Sequence, residues 1–397
     1  LWGRHAQARE QLTAALQVLR PDPDADTVRA LDELAMLEVF AGSPDSDALS
    51  SEALVLAQAL GTGPGQLADI FISRGIYLYL AQRRTEGVAY FTQAARLAEQ
   101  ADSHTLLGRV YINLAETFLT TDPESAVEAA RTAAGHLRRT GALDYLGVAV
   151  INLVQAQLAL GDWDAAEEQL THAMEADGLS GNEYLVSYVA WLAALRGGAE
   201  SAAETLAGLR DLRSSEDSQD KVFVGMVDAF AAAALGKPQD ALRQARASVA
   251  NSGPLGIAFG DTSWAWPLAV RVAHELGDAA AVGELLAQLD GHPPGHVPAR
   301  LRAERDLARA RLAAAGGDPA AGQALAAAVA DVRAHGSPYH LAHALLDHAQ
   351  CLLGDGDTGA AEAAIGEARA IATRLRCQPL LDRAEATTQP VTAPTSA

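Results

Sequence analysis

Residues 148–176 read VAVINLVQAQLAL, then GDWD, then AAEEQLTHAMEA: Val148 to Leu160, Gly161 to Asp164 and Ala165 to Ala176. Apolar residues recur at helical spacing on both sides of a four-residue interruption, so the stretch predicts two helices joined by a tight turn. Gly161 stands where a helix ends at positive φ, and Asp162 stands where a side chain accepts the first amides of the next helix.

Outward from this hairpin, a small residue marks the start of each second helix: Ala8, Ala48, Gly87, Ala126, Ala166, Ala202, Ala241, Ala281, Ala321 and Ala361, with spacings of 40, 39, 39, 40, 36, 39, 40, 40 and 40. Antiparallel helices come closest beside a short turn, where a bulky side chain would wedge them apart. Four residues on, Phe91, Leu170, Leu206, Leu285, Leu325 and Ile365 continue the buried stripe. Turns in phase with the marks include Asp122-Pro123-Glu124, Gly236-Lys237-Pro238, Gly277-Asp278, Gly317-Asp318-Pro319 and Gly354-Asp355-Gly356. A period of this size means supersecondary units stacked on their neighbours. The reading is an all-α solenoid of about nine helical hairpins over residues 1–385, with inter-repeat loops near 210–221 and 290–300 and a disordered polar tail over 386–397. Leu1 to Arg4 reads as the end of a helix and the turn after it, so the first hairpin is expected to lack its leading helix and the chain to continue a longer polypeptide.

Composition narrows the function. The net charge is −20 and the only lysines are Lys221 and Lys237, which disfavours a nucleic-acid groove. No run of eighteen apolar residues is expected to span a membrane. Cys351 sits beside the turn of one hairpin and Cys377 lies about twenty residues beyond it on the other limb, roughly 30 Å away, so both are expected as free thiols of a cytoplasmic protein.

No catalytic, cofactor or metal site is expected. Lys237 follows Gly236, but Ala231 and Pro238 occupy the places where a phosphate loop needs Gly and Ser or Thr. Asp22, Asp24, Asp26 and Glu33 imitate a calcium loop without its central glycine, and read as acids at a helix start. His340, His343 and Asp347 share a helix face as a partial metal set; His292 and His296 flank a proline turn. Gly253 to Ser263, GPLGIAFGDTS, reads as a connection between repeats, and Phe259, Trp264 and Trp266 as an aromatic seal or partner patch. On the first helices, Asn113-Leu114-Ala115-Glu116 and Asn152-Leu153-Val154-Gln155 repeat after 39 residues, with Arg74 one unit earlier. Arg74, Asn113, Glu116, Asn152 and Gln155 are therefore the candidate residues for holding a protein or peptide on the concave face, with hydrogen bonding inside the stack as the alternative.

The hairpins, the small residue opening each second helix and the Asn-Leu-Ala-Glu type first helices resemble tetratricopeptide repeats of a longer, forty-residue kind. Gly3 to Ala8, Asn152 to Ala166, Pro293 to Ala303 and the ending from Ser337 to Ala342 and Glu362 to Ala370 resemble the C-terminal repeat region of bacterial proteins that join a class III adenylate or guanylate cyclase to an AAA-type ATPase. The resemblance implies a right-handed solenoid and a non-catalytic sensor arm that acts on upstream ATPase and cyclase domains. Related repeats belong to large ATP-dependent regulators ending in a DNA-binding helix-turn-helix, which this chain lacks after Leu380 to Ala386. A free-standing scaffold and an all-helical enzyme built on a buried acidic pair are the other readings.

Overall fold

The computed structural model describes residues 5–293 and 295–388; Leu1 to Arg4, Pro294 and residues 389–397 lie outside the described residues, as do the expectations that fall on them. Every regular element among the described residues is helical. A single helix α1 (His5–Leu19) precedes nine hairpins. These are α2 (Ala25–Phe40) with α3 (Asp45–Leu60), α4 (Pro64–Leu80) with α5 (Arg84–Gln100), α6 (His104–Phe118) with α7 (Pro123–Thr140), and α8 (Leu143–Leu160) with α9 (Trp163–Glu175). Next come α10 (Glu183–Arg196) with α11 (Ala199–Ala207), a one-turn α12 (Asp211–Ser214), and α13 (Ser218–Ala234) with α14 (Pro238–Asn251). The last three are α15 (Thr262–Glu275) with α16 (Ala279–Asp290), α17 (Ala299–Ala315) with α18 (Ala321–His335), and α19 (Pro338–Gly354) with α20 (Thr358–Leu375). Helix α21 (Gln378–Thr388) closes the described chain and runs into the segment read as a tail.

Local chemistry sets these bounds. Gly161 ends α8 at φ +82°, a left-handed conformation open to glycine without strain. Asp122, Asp278 and Asp357 accept the amides of Ser125, Ala281 and Ala360 at the starts of α7, α16 and α20. Asp162, by contrast, makes no side-chain cap, contrary to expectation. Asp24 caps α2 through the amides of Asp26 and Thr27, both at 3.0 Å, so this acidic run serves a helix start.

Small residues beside the turns let the paired helices mesh. Gly87, Ala126, Ala166, Ala202, Ala241, Ala281, Ala321 and Ala361 are buried, as are the six larger side chains four residues on. Ala48 is the exception: it is exposed, while Ser46 and Ser50 turn inward from α3. Opposite the small positions, close approach repeats from the first helices. A Cβ at Gly75 would fall 2.4 Å from Cε1 of Phe91, and one at Gly108 would fall 2.5 Å from Cγ of Leu137.

First helices of successive hairpins pack on one another from α2 through α4, α6, α8, α10, α13, α15, α17 and α19 to α21. Second helices of successive hairpins fan apart, so the first helices line the inner side of a curved stack. Helix α8 is eighteen residues long and apolar enough to cross a membrane by length and composition, which the sequence reading had not expected. It is an inner helix, 61% buried in the stack, as a hydrophobic core helix is.

The N-terminal hairpins hold small separate cores, whereas one continuous core extends from Ile112 to Ala384. The stack there turns back on itself. Cys377 donates its thiol to the Leu195 carbonyl at 3.0 Å, Arg196 reaches the Leu375 carbonyl at 3.4 Å, and Arg376 pairs with Asp164 at 2.9 Å. Inside the closed part, Trp163, Trp191, Phe230, Trp264 and Tyr339 form a chain of ring contacts with centroids 5.0–6.4 Å apart. Aromatic side chains from α9, α10, α13, α15 and α19 thus fill the inner side of the closed part, so the concave face expected to hold a partner is not open there. Trp264 and Trp266 are buried and act as the seal. Both cysteines are free, Cys377 fully buried.

Candidate functional site

The five residues singled out on the first helices do not form one surface. Arg74 turns toward the preceding hairpin, donating to Ser50 Oγ at 3.0 Å and Ser51 Oγ at 2.8 Å, with Asp47 at 3.3 Å and the Tyr90 ring beneath its guanidinium. Asn113 bonds the Arg109 carbonyl of its own helix at 2.8 Å. Asn152 is buried and donates to the Ile112 carbonyl of the preceding first helix at 3.0 Å, a bond within the stack.

Glu116 and Gln155 do converge, and they meet the glycine-rich segment 253–261. The segment leaves α14, makes a single 3-10 turn at Gly253–Leu255, and crosses the turn-proximal ends of the first four hairpins. Pro254 lies against Gly42 at the α2–α3 turn; a Cβ at Gly256 would stand 3.2 Å from the Gln82 amide nitrogen and 3.8 Å from the Leu80 carbonyl. A Cβ at Gly260 would stand 3.6 Å from Gln155 Oε1 and 3.7 Å from Glu116 Oε1. Leu255, Ile257 and Ala258 are buried. At Gly256 the backbone takes φ +81°, a left-handed conformation that glycine adopts without strain.

The segment ends in a buried polar cluster. Tyr79 donates to Glu116 Oε1 at 3.2 Å; Gln155 Nε2 faces the Tyr188 hydroxyl and reaches Asp261 Oδ1 at 3.4 Å. Burial, reinforced by the Glu116 charge, pushes the Asp261 carboxyl up to about 8. Burial likewise raises Glu116, against the opposing hydrogen bond from Tyr79 and the charge of Arg84. Burial thus biases both carboxyls toward the protonated form.

A second cluster, of which the sequence marks His340, His343 and Asp347 but not the arginines or Glu304, lies on α15, α17, α19 and α21. It surrounds a partly open cavity of about 20 Å³ lined by Arg271, Glu304, Arg311, His340, His343 and Asp347 beside apolar Pro267, Val270, Leu307 and Ala308, room for one water-sized group. Arg300 lies over the Trp264 ring, 4.6 Å from its centroid, with Nη2 3.1 Å from His340 Nδ1. Arg383 approaches His343 Nδ1 at 2.7 Å and pairs with Asp347, which also lies 3.5 Å from Arg311 Nε. Arg271 donates to the Tyr339 hydroxyl at 3.1 Å. Burial and the neighbouring arginines hold both imidazoles well below their ordinary range, hence neutral. The partial metal set His340, His343 and Asp347 is thus spent on guanidinium groups whose charge opposes a cation. Among the described residues no group of three or more His, Cys, Asp or Glu is arranged to hold a metal.

No family model matches the chain, and no curated protein matches it. Among solved structures it is similar to the apo form of the quorum sensor NprR from B. thuringiensis, with 14% identity over 93% of this chain and 98% of that one and a TM-score of 0.41. It is also similar to a Rap protein complexed with Competence and Sporulation Factor (12% identity, 96% and 99% covered, TM-score 0.39) and to the human IFIT1 dimer with m7Gppp-AAAA (12%, 93% and 95%, TM-score 0.40). Likeness of this extent fixes neither ligand nor activity.

Proposed function

We infer that the chain is a non-catalytic recognition arm that takes a short protein segment folded into successive turns along the inner ends of its first four hairpins. The observation that carries this reading is the course of residues 253–261: a stretch of the chain's own backbone, folded into a 3-10 turn at Gly253–Leu255 and further turns up to Asp261, already lies across those ends. Glu116 and Gln155 supply polar contacts at one end of the path, while Leu255, Ile257 and Ala258 are buried along it. The finer part of the proposal is that a partner peptide competes with the resident segment and that its capture is transmitted to ATPase and cyclase domains of the same polypeptide. The segments that resemble such proteins support that part. A charge of −20 with two lysines favours a protein over a nucleic acid as partner.

A second reading has one specific observation behind it, the buried pair Glu116 and Asp261, since an acidic pair is what an all-helical hydrolase would need. Its carboxyl oxygens accept from Tyr79 and Gln155, and Gly260 passes directly over it. This packing supports docking of the segment over chemistry on a substrate.

The test uses a fluorescent nonapeptide of sequence GPLGIAFGD. It should bind the full chain carrying Ile257→Glu, whose own segment is undocked, at least tenfold more tightly than the native chain, and Glu116→Leu in that background should remove the gain. Equal, negligible binding by both chains, with helicity intact, removes the reading.

A further inference from the structure

The cavity between α15, α17 and α19 has an imbalance of charge and of hydrogen-bonding groups. Arg271 and Arg311 bring two guanidinium charges to its wall, and Arg300 and Arg383 bring two more behind His340 and His343, against the carboxylates of Glu304 and Asp347. Asp347 is engaged by Arg383 and Arg311. Glu304, 8% exposed, is pushed up to about 7 by burial, so near neutrality it carries only part of a charge. The excess positive charge sits inside a chain that is otherwise strongly acidic.

Donors are also in surplus. A guanidinium only donates, so the approach of Arg300 to His340 and of Arg383 to His343 makes each Nδ1 an acceptor and puts each imidazole proton on Nε2. Both Nε2 atoms are buried with no hydrogen-bond partner, and so is Nε of Arg300. His340 is 2% exposed and Arg300 4%. Three buried N–H groups without acceptors are costly to leave unmatched, and buried positive charge calls for a counter-charge. On the acceptor side Glu304 Oε1 is buried without a hydrogen bond, whereas Asp347 is held by Arg383 and Arg311.

We propose that this cavity is a binding site for a small carboxylate, which seats one oxygen against Nε2–H of His340 and Nε2–H of His343, with Arg271 and Arg311 as counter-charges and Arg300 fixing the His340 tautomer from behind. One carboxylate oxygen fills the single water-sized space, and the partly open side leaves the rest of the ligand outside it. Glu304 sets the selectivity: a monoanion meets it with little repulsion, whereas a phosphate dianion in the same place is repelled more strongly. The proposal does not depend on the peptide groove, which lies on other hairpins.

The experiment titrates the full chain with acetate and, separately, with inorganic phosphate at equal ionic strength, following the imidazole Nε2–H resonances of His340 and His343 by NMR. Acetate should shift both resonances saturably, and phosphate at the same concentration should shift them at least tenfold less. Arg300→Met should abolish the acetate response; Glu304→Gln should preserve it and strengthen phosphate binding. Resonances that stay unmoved at high acetate, with the cavity holding an ordered water only, overturn the proposal, as does an acetate response undiminished in folded Arg300→Met. Should Arg300→Met fail to fold, His343→Phe provides the same test from the other wall.

Discussion

Nη2 of Arg300 on α17 lies 3.1 Å from Nδ1 of His340 on α19, forty residues further along. Since the guanidinium has no lone pair to offer, the contact fixes the imidazole as neutral with its proton on Nε2. The same relation joins Arg383 to His343, again at a separation of 40.

These two histidines should therefore resist protonation. Their folded values lie well below the ordinary 6.5, so the unfolded chain binds more protons as pH falls past 6.5, and stability is lost in that direction. Nitrogen-15 spectra of the imidazoles should show the Nε2–H tautomer and no titration between pH 8 and about 6; a midpoint near 6.5 for either would contradict the geometry.

Asp261 has the opposite sign. Its carboxyl is held up at about 8 against 3.8 when exposed, so the docked state holds an extra proton between those values and docking weakens as pH rises through that window. Asp261→Asn removes the titration while leaving an acceptor for Gln155. It should stabilise the chain on the order of 5 kcal/mol at pH 8 and leave it nearly unchanged near pH 4, as read from denaturant melts at the two values.

The closure of the stack predicts a change of shape. A side chain at Gly161, where φ is +82°, would bring a Cβ to 2.9 Å from Pro338 Cγ across the closure. Gly161→Val should cost about 1–3 kcal/mol through backbone strain and enlarge the radius of gyration in small-angle X-ray scattering. An unchanged radius would show that the contact does not hold the two parts together.

Trp191, fully buried and edge-on to Trp264 with centroids 5.0 Å apart, lies within the inner aromatic chain. Trp191→Ala should cost about 3–5 kcal/mol, measured by urea unfolding, and a loss below 1 kcal/mol would mean the rings merely line a cavity.

How much of this was legible differs from place to place. The mark at Ala166 and the stripe through Leu170 were readable because both are local consequences of one hairpin. At Ala48 the phase slipped, since Ser46 and Ser50 fill the small inward positions and serine did not register as a marker. The charged cavity stayed hidden because each arginine alone looks like an ordinary polar position on a helix. The available signal was the repeat period itself. Arg300 with His340, His343 with Arg383, Asp69 with Arg109 and Ile112 with Asn152 are all forty residues apart, so complementary groups one period apart mark contacts between first helices. Gln155 and Asp261 have no such signal, being 106 residues apart on elements brought together only by the curvature of the whole stack.

Hydrogen exchange of the backbone amides in 253–261, with and without the peptide GPLGIAFGD, tests the recognition groove most directly. The account predicts that saturating peptide accelerates exchange across the resident segment while the helices α4, α6 and α8 keep their protection. Exchange in the segment that stays slow at peptide concentrations saturating the Ile257→Glu chain would contradict it.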